Sequence, residues 1–450
     1  MKAAKFNILI HKKIASFNKT IRVDSDKSIS IRSFLISSIS NNISKVKNVL
    51  ESEDVFAAIN CLKKLGVKIK KKRNAYFING KGLGSLRAKK NIIINCGNSG
   101  TTARLLIGLL STTPNIQVKI TGDNSLNKRS MKKLIKIMSK FGTIFLPRNK
   151  NTFPLTIKSS PFPIGITYKA DISAQLKSAV ILAGLNAHGI TSIFENKKSR
   201  NHTENMLLKN SSVIKIKRVN KEKKLIKIYG KKSLVSQEIN VSGDPSTAAF
   251  FTALTILTPK ARLKIKDVGL NPRRIGFYKL LKKHGAKINF KKIKKVNNEI
   301  IGDIEVEYSK LRALKAKPEY YVSATDEYPI LFIIAGLTKG VSVFKGIGDL
   351  ANKESNRIEE MKKLLEQIGI KCKSDKNQMK IFGGYKIDYN SFVKVPALND
   401  HRICMSQTIL SLSTGIKSNI KNFETVRTSA PSFLKVIKSL GGQFEIKKVS

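Results

Sequence analysis

The feature that most restricts how this chain can fold is a recurring kind of helix, apolar nearly all round and polar only where it starts. Six segments open with polar or charged residues and continue as an apolar run rich in small residues. They are Asp26-Lys27-Ser28 into Phe34-Leu35-Ile36, Gly97 to Arg104 into Leu105 to Leu110, and Ser173-Ala174-Gln175 into Ala179 to Gly184. Further along come Asp244-Pro245-Ser246 into Ala248 to Phe251, Asp326-Glu327-Tyr328 into Ile330 to Ala335, and Asp400-His401-Arg402 into Ile403 to Met405. A helix without a polar face belongs inside a layer, so only its N-terminal end can meet solvent or a ligand. That end carries free backbone N–H groups and the positive pole of the helix dipole, which suits an anion.

A second, amphipathic kind of helix alternates with the first and breaks near a glycine before a short strand. Its endings are Leu62 to Gly66, Ile137 to Gly142, Leu280 to Gly285, Leu364 to Gly369 and Val436 to Gly441, with a degenerate copy at Met206 to Ser211. Spacings of roughly 70 to 85 residues are too long for a solenoid and suit a repeated α/β unit. At 450 residues the chain exceeds one ordinary core. The reading is an α/β protein of two similar three-unit domains, with the break near Ser242.

Composition excludes several classes. No apolar run reaches the length of about 18 residues that a membrane span needs. Met1 to Lys13 has only a short apolar piece, Phe6 to Ile10, and no small-residue cleavage site, so no signal peptide is expected. Cys61, Cys96, Cys372 and Cys404 are scattered, which indicates neither a zinc site nor a disulfide framework. A reducing cytoplasm is the expected setting. Lys and Arg number 85 against 30 Asp and Glu, a net charge of +55. The excess is spread along the chain with no basic run interleaved with aromatics, so it reads as compositional drift and no dedicated nucleic-acid partner is expected.

Arginines and other polar groups gather at the helix starts. Lys27, Ser28 and Arg32 lie at the first, Asn98, Thr101 and Arg104 at the second, with Arg129 soon after. Ser173, Gln175 and Arg200 follow, then Asp326, Lys353, Glu354, Arg357 and Arg402. One such arginine reads as a surface ion pair. Several at one kind of position imply a ligand with more than one acidic group, because the planar fork matches carboxylate and phosphate oxygens in pairs.

The ordered set Asp26-Lys27-Ser28, Gly97-Asn98-Ser99-Gly100-Thr101, Ser173-Ala174-Gln175-Leu176-Lys177-Ser178-Ala179, Ser199-Arg200-Asn201-His202-Thr203-Glu204, Gly243 to Ala249, Asn271-Pro272-Arg273-Arg274, Lys353-Glu354-Ser355 and Asp400-His401-Arg402 closely resembles the 5-enolpyruvylshikimate-3-phosphate (EPSP) synthase family. The resemblance runs from about Asp26 to about Phe433. It implies two similar domains, each of three βαβαββ repeats with buried helices, closing on substrate in a cleft between them. Residues 20–241 would form the first domain and 1–19 with 242–450 the second.

The resemblance also implies the reaction: the 5-hydroxyl of shikimate 3-phosphate adds to C2 of phosphoenolpyruvate and phosphate is eliminated, on the route to chorismate and the aromatic amino acids. By motif position, Glu354 is the proton donor at C3, Asp326 the base near the hydroxyl, and Lys27 a third catalytic group. Lys27, Asn98, Gly100, Thr101, Arg129, Gln175, Arg357 and Arg402 would bind phosphoenolpyruvate, with Gly100 allowing close approach to the backbone. Lys27, Ser28, Arg32, Ser173, Ala174, Gln175, Ser199, Arg200, Asp326 and Lys353 would hold shikimate 3-phosphate. No metal or cofactor is implied, and a monomer is expected. Four positions depart from the family pattern: Ser130, Ala430 and Asn201 replace a usual Pro, Phe and Asp, and Thr428 stands where many members have a phosphoenolpyruvate-binding Lys, with Arg427 beside it. The sister enolpyruvyl transferase acting on UDP-N-acetylglucosamine is the alternative, disfavoured by the Ser-Ala-Gln and Ser-Arg-x-His-Thr-Glu motifs. A basic RNA-binding protein rests on charge alone.

Overall fold

All of the apolar segments are helical, in a computed structural model that describes residues 5–220 and 223–449. They are α1 (Lys27–Ser38), α2 (Gly100–Ser111), α3 (Ala174–Asn186), α4 (Pro245–Leu257), α5 (Tyr328–Leu337) and α6 (His401–Thr414). Five begin on a side-chain cap: Asp26 accepts from the Ile29 N–H, Ser99 from Thr102, Ser173 from Leu176, Asp244 from Ser246 and Asp400 from Arg402. Each cap satisfies one of the N–H groups that a helix start leaves without an intrahelical partner. α5 is entered instead through the 3-10 turn Thr325–Glu327, with Pro329 in its first turn.

These helices bury hydroxyls without needing a polar face. Ser33 Oγ donates to Ile29 O, Ser111 to Ile107, Thr255 to Phe251 and Thr408 to Cys404, each one turn back in its own helix at 2.8 to 2.9 Å. Hydroxyls satisfied within the helix can then be packed like methyl groups.

The strands make six four-stranded sheets of one pattern. In the clearest, Ile93–Asn95 runs parallel to Gln117–Thr121, which pairs antiparallel with Leu155–Lys158, which in turn pairs antiparallel with Ile144–Leu146. The chain order is strand, α2, strand, the amphipathic helix Lys132–Met138, strand, strand. The parallel pair needs a crossover, and the buried helix supplies it. Two sheets are completed from the chain's start. Phe6–Ile10 pairs antiparallel with Lys417–Ile420 and Glu445–Lys448, and Asn18–Ile21 runs parallel to Arg262–Gly269.

The chain divides into two compact units. The N-terminal unit is Ser25–Val241 with Lys295–Glu299; the C-terminal unit is the chain up to Asp24, Ser242–Lys294 and Ile300 onward. Each holds three of the sheets and three of the buried helices. The amphipathic helices Glu53–Lys64, Gly276–Lys283 and Arg357–Glu366 end near Gly66, Gly285 and Gly369, whose φ values of 80° to 105° are left-handed and need no Cβ. The sixth, degenerate copy is the short helix His202–Leu207, after which Asn210 Oδ1 accepts the Val235 N–H at 2.8 Å.

Within the N-terminal unit, α2 and α3 meet where a Cβ on Gly108 would lie 2.5 to 2.8 Å from the backbone of Ala179. Neither backbone can yield without moving a buried helix. Gly108→Ala is therefore expected to lower the unfolding free energy by about 2 kcal/mol, read as a lower midpoint in urea denaturation; an unchanged midpoint would show that the helices separate freely there.

Candidate active site

In the N-terminal unit, the starts of α2 and α3 are joined by polar contacts among the sequence-predicted residues. Gln175 Nε2 donates to Thr101 Oγ1 at 3.1 Å, and Arg104 Nη1 donates to Gln175 Oε1 at 3.0 Å and to Gly100 O at 3.2 Å. Arg129 Nη2 donates to Asn98 Oδ1 at 3.0 Å, and Asn98 Nδ2 to Asp123 Oδ2 at 2.7 Å. Asn98, Gly100, Thr101, Arg129 and Gln175 thus form one cluster, to which the structure adds Arg104. Gly100 lies beneath the two guanidinium groups: a Cβ there would be 2.7 Å from Arg104 Nη1 and 3.1 Å from Arg129 Nη1.

Lys27 is half-buried at the start of α1, with Nζ 3.0 Å from Asp54 Oδ2. Ser28, Ser173, Ala174 and Arg200 are also half-buried, whereas Ser199 is fully buried and donates through both N–H and Oγ–H to Glu195 Oε1 at 3.2 Å. Arg32 points inward and is 4% exposed. It donates to Thr203 Oγ1, Ser178 Oγ and Ser28 O at 2.9 to 3.1 Å, tying α1 to α3 and to the helix His202–Leu207.

In the C-terminal unit, Arg357 gathers the key groups. Its Nε and Nη2 donate to the two oxygens of Asp400 at 2.9 and 3.2 Å, and Nη2 also meets Glu354 Oε2 at 2.7 Å. Asp400 in turn accepts from Ser355 Oγ and caps α6 through the Arg402 N–H, both at 3.0 Å. Burial disfavours the Arg357 charge, but Asp400 and Glu354 outweigh it and hold the guanidinium pKa above its ordinary value. Arg402 is 3% exposed and stands 5.8 Å from the Phe250 ring centroid. Arg402 Nε and Nη1 and Arg357 Nη1 are buried with no hydrogen-bond partner among the described residues.

Asp326, in the turn ahead of α5, is 3.3 Å from Arg274 Nη1, and Arg274 Nη2 reaches Asp244 Oδ1 and Ser246 Oγ at 3.0 Å. Lys353 Nζ is 2.5 Å from Asp349 Oδ2, to which Tyr321 also donates at 2.9 Å. Burial first, then Asp349, pushes the Tyr321 hydroxyl pKa far up, so it stays a donor. Of the departures from the family pattern, Ser130 Oγ accepts the Lys132 N–H at 3.3 Å, Thr428 Oγ1 donates to Thr425 O at 2.7 Å, Ala430 is buried, and Arg427 lies 5.3 Å over the Phe6 ring.

The sequence-predicted set omits the carboxylates that hold it. Nothing local marks Asp54 as the partner of Lys27 or Glu195, at a strand end, as the partner of Ser199, and Asp400, legible as the start of α6, is paired with an Arg357 that lies 43 residues away.

The fold is shared with solved enolpyruvyl transferases. The enolpyruvyl transferase NikO from Streptomyces tendae matches with a TM-score of 0.72, covering 99% of this chain and 100% of that one at 12% identity, a likeness of fold alone. A solved EPSP synthase from Acinetobacter baumannii matches with a TM-score of 0.83 at 33% identity, over 99% of this chain and 100% of that one. The 3-phosphoshikimate 1-carboxyvinyltransferase of Zymomonas mobilis is 35% identical over 446 residues, 97% of either chain. That of Petrotoga mobilis is 37% identical over 428 residues, 94% of this chain and 97% of its own. The family model for EPSP synthase (3-phosphoshikimate 1-carboxyvinyltransferase) covers residues 11–437, and the chain belongs to that family.

The position of Gly100 generates a prediction. An added methyl must press on Arg104 and Arg129, so Gly100→Ala is expected to raise the inhibition constant of glyphosate, a bulkier phosphoenolpyruvate mimic, by more than it raises the KM for phosphoenolpyruvate. Equal inhibition of the two forms would show that Gly100 does not face the ligand.

Proposed function

We propose that this chain transfers the enolpyruvyl group of phosphoenolpyruvate to the 5-hydroxyl of shikimate 3-phosphate, releasing phosphate on the route to chorismate and the aromatic amino acids. The single observation that carries the reading beyond family membership is the state of Arg357 and Arg402. Their three buried N–H bearing nitrogens without an acceptor would each carry a desolvation penalty of about 1–3 kcal/mol, which a doubly anionic ligand relieves.

Phosphoenolpyruvate carries a carboxylate and a phosphate. Arg357 and Arg402 would take its acidic groups, and the family motifs assign Lys27, Asn98, Gly100, Thr101, Arg129 and Gln175 to the same ligand. Shikimate 3-phosphate would be held by Lys27, Ser28, Ser173, Ala174, Gln175, Arg200, Asp326 and Lys353, with Ser199 acting from inside through the turn into Arg200 and Arg32 from inside on Ser28 and the Thr203 segment. Residues 20–241 and the remainder, 1–19 with 242–450, would form the two domains.

In the addition step, Asp326 accepts the proton of the 5-hydroxyl as its oxygen bonds to C2, while Glu354 delivers a proton to C3. Arg274 beside Asp326 and Arg357 beside Glu354 set each carboxyl at a fixed angle, so that proton transfer needs no side-chain search. In the elimination step the C2–O bond to phosphate breaks, Glu354 takes a proton back from C3 to restore the double bond, and Asp326 releases its proton as phosphate departs. Charge that develops on the departing phosphate is met by cations already in place.

The sister activity on UDP-N-acetylglucosamine uses a reactive cysteine on a mobile loop. Cys96 is instead fully buried, and its contact with Cys61 and then burial push its thiol pKa well up, the opposite of an activated thiolate. No helix among the described residues is long and apolar enough to cross a membrane; the proposed reading has the chain act in the cytoplasm, as a monomer.

Phosphate release from phosphoenolpyruvate, followed with each acceptor in a coupled assay, tests the reading. Turnover is expected with shikimate 3-phosphate and none with UDP-N-acetylglucosamine; no turnover with the former would overturn it.

A further inference from the structure

Lys177 is a large side chain buried completely in the N-terminal unit. Its Nζ lies 2.5 Å from Glu195 Oε1 and 2.6 Å from Glu204 Oε1, and the three side chains are 0%, 1% and 2% exposed. An ammonium is removed from water at this depth only when its charge is compensated in place. None of these residues is among those assigned to the substrates above.

Their positions show what the cluster connects. Lys177 sits in the first turn of α3, whose start carries Ser173, Ala174 and Gln175. Glu195 is the last residue of the strand Ile190–Glu195, and its Oε1 also accepts both the N–H and the Oγ–H of Ser199 at 3.2 Å. Arg200 follows directly. The Lys177–Glu195 pair thus links the α3 start to the turn that presents Ser199 and Arg200. Because both protons of Ser199 are directed at Glu195, that carboxylate fixes the course of the backbone into Arg200. The ammonium beside it offsets a negative charge that would otherwise repel an approaching phosphate.

We propose that Glu195 is a positioning residue for the 3-phosphate of shikimate 3-phosphate, acting through the Ser199-Arg200 turn with Lys177 as its counter-charge. The inference rests on the substrate assignment of the preceding subsection. Glu204, in the helix His202–Leu207, shares the same lysine. It serves as an internal comparison: the same chemical change in the same buried cluster, at a carboxylate outside the Ser199-Arg200 turn's pairing with Glu195.

Steady-state kinetics of wild type, Glu195→Gln and Glu204→Gln test this. Glu195→Gln weakens two hydrogen bonds to a charged acceptor and is expected to raise the KM for shikimate 3-phosphate about tenfold or more. Its kcat should stay within about threefold and its KM for phosphoenolpyruvate within about twofold of wild type. Glu204→Gln should leave the KM for shikimate 3-phosphate within about twofold. If Glu195→Gln does not fold, Glu195→Asp, which keeps the charge but draws the carboxylate back by one methylene, carries the same expectation. An unchanged KM for shikimate 3-phosphate in the Glu195 variant, or an equal rise in the Glu204 variant, would overturn the proposal. Wild-type protein that fails to turn over shikimate 3-phosphate would instead overturn the substrate assignment.

Discussion

Everything distinctive in this protein follows from helices that have no polar face. Such a helix can be satisfied only inside a layer, so strands and amphipathic helices must surround it and its start becomes the one part that can do polar work. Repeating the arrangement three times in each unit multiplies those starts. The caps that stabilise them, Asp26, Ser99, Ser173, Asp244 and Asp400, adjoin Lys27, Asn98, Gln175, Arg274 and Arg402 in sequence or by contact. Under the proposed function, fold stability and anion binding draw on the same short segments.

The charge balance within the C-terminal unit shows how this is managed. Asp400 both caps α6 and neutralises Arg357, so one carboxylate holds the helix start, orients the guanidinium and leaves Nη1 without an acceptor. Arg274 does the same kind of work for Asp244 and Asp326. The net charge of +55 is of a different kind. Much of it lies on exposed strand faces such as Lys68–Lys72 and Ile288–Val296, in separate sheets, where it faces solvent.

How much of this was legible beforehand depended on whether the information was local. The six buried helices, their caps and the glycine-terminated amphipathic helices are written in runs of a dozen residues, and all of them occur. The clustering of Asn98, Gly100, Thr101, Arg129 and Gln175 was legible only through the family motifs, since Gln175 lies 74 residues from Thr101. Partners of the buried charges were not legible at all. Arg32 looks like a ligand residue beside Ser28, yet it donates to Thr203 and Ser178, which are 171 and 146 residues away. Lys177 looks like a solvent-facing lysine in a polar first turn until the fold brings Glu195 and Glu204 to it.

The central claim is that the buried guanidinium groups of the C-terminal unit are kept short of acceptors for the acidic groups of phosphoenolpyruvate. Measuring kcat/KM for phosphoenolpyruvate in Arg402→Gln, beside the affinity for shikimate 3-phosphate alone, addresses it most directly. Loss of a charged donor pair predicts a fall in kcat/KM of about 100-fold or more, with shikimate 3-phosphate affinity held within about threefold. A kcat/KM within about twofold of wild type would contradict the account.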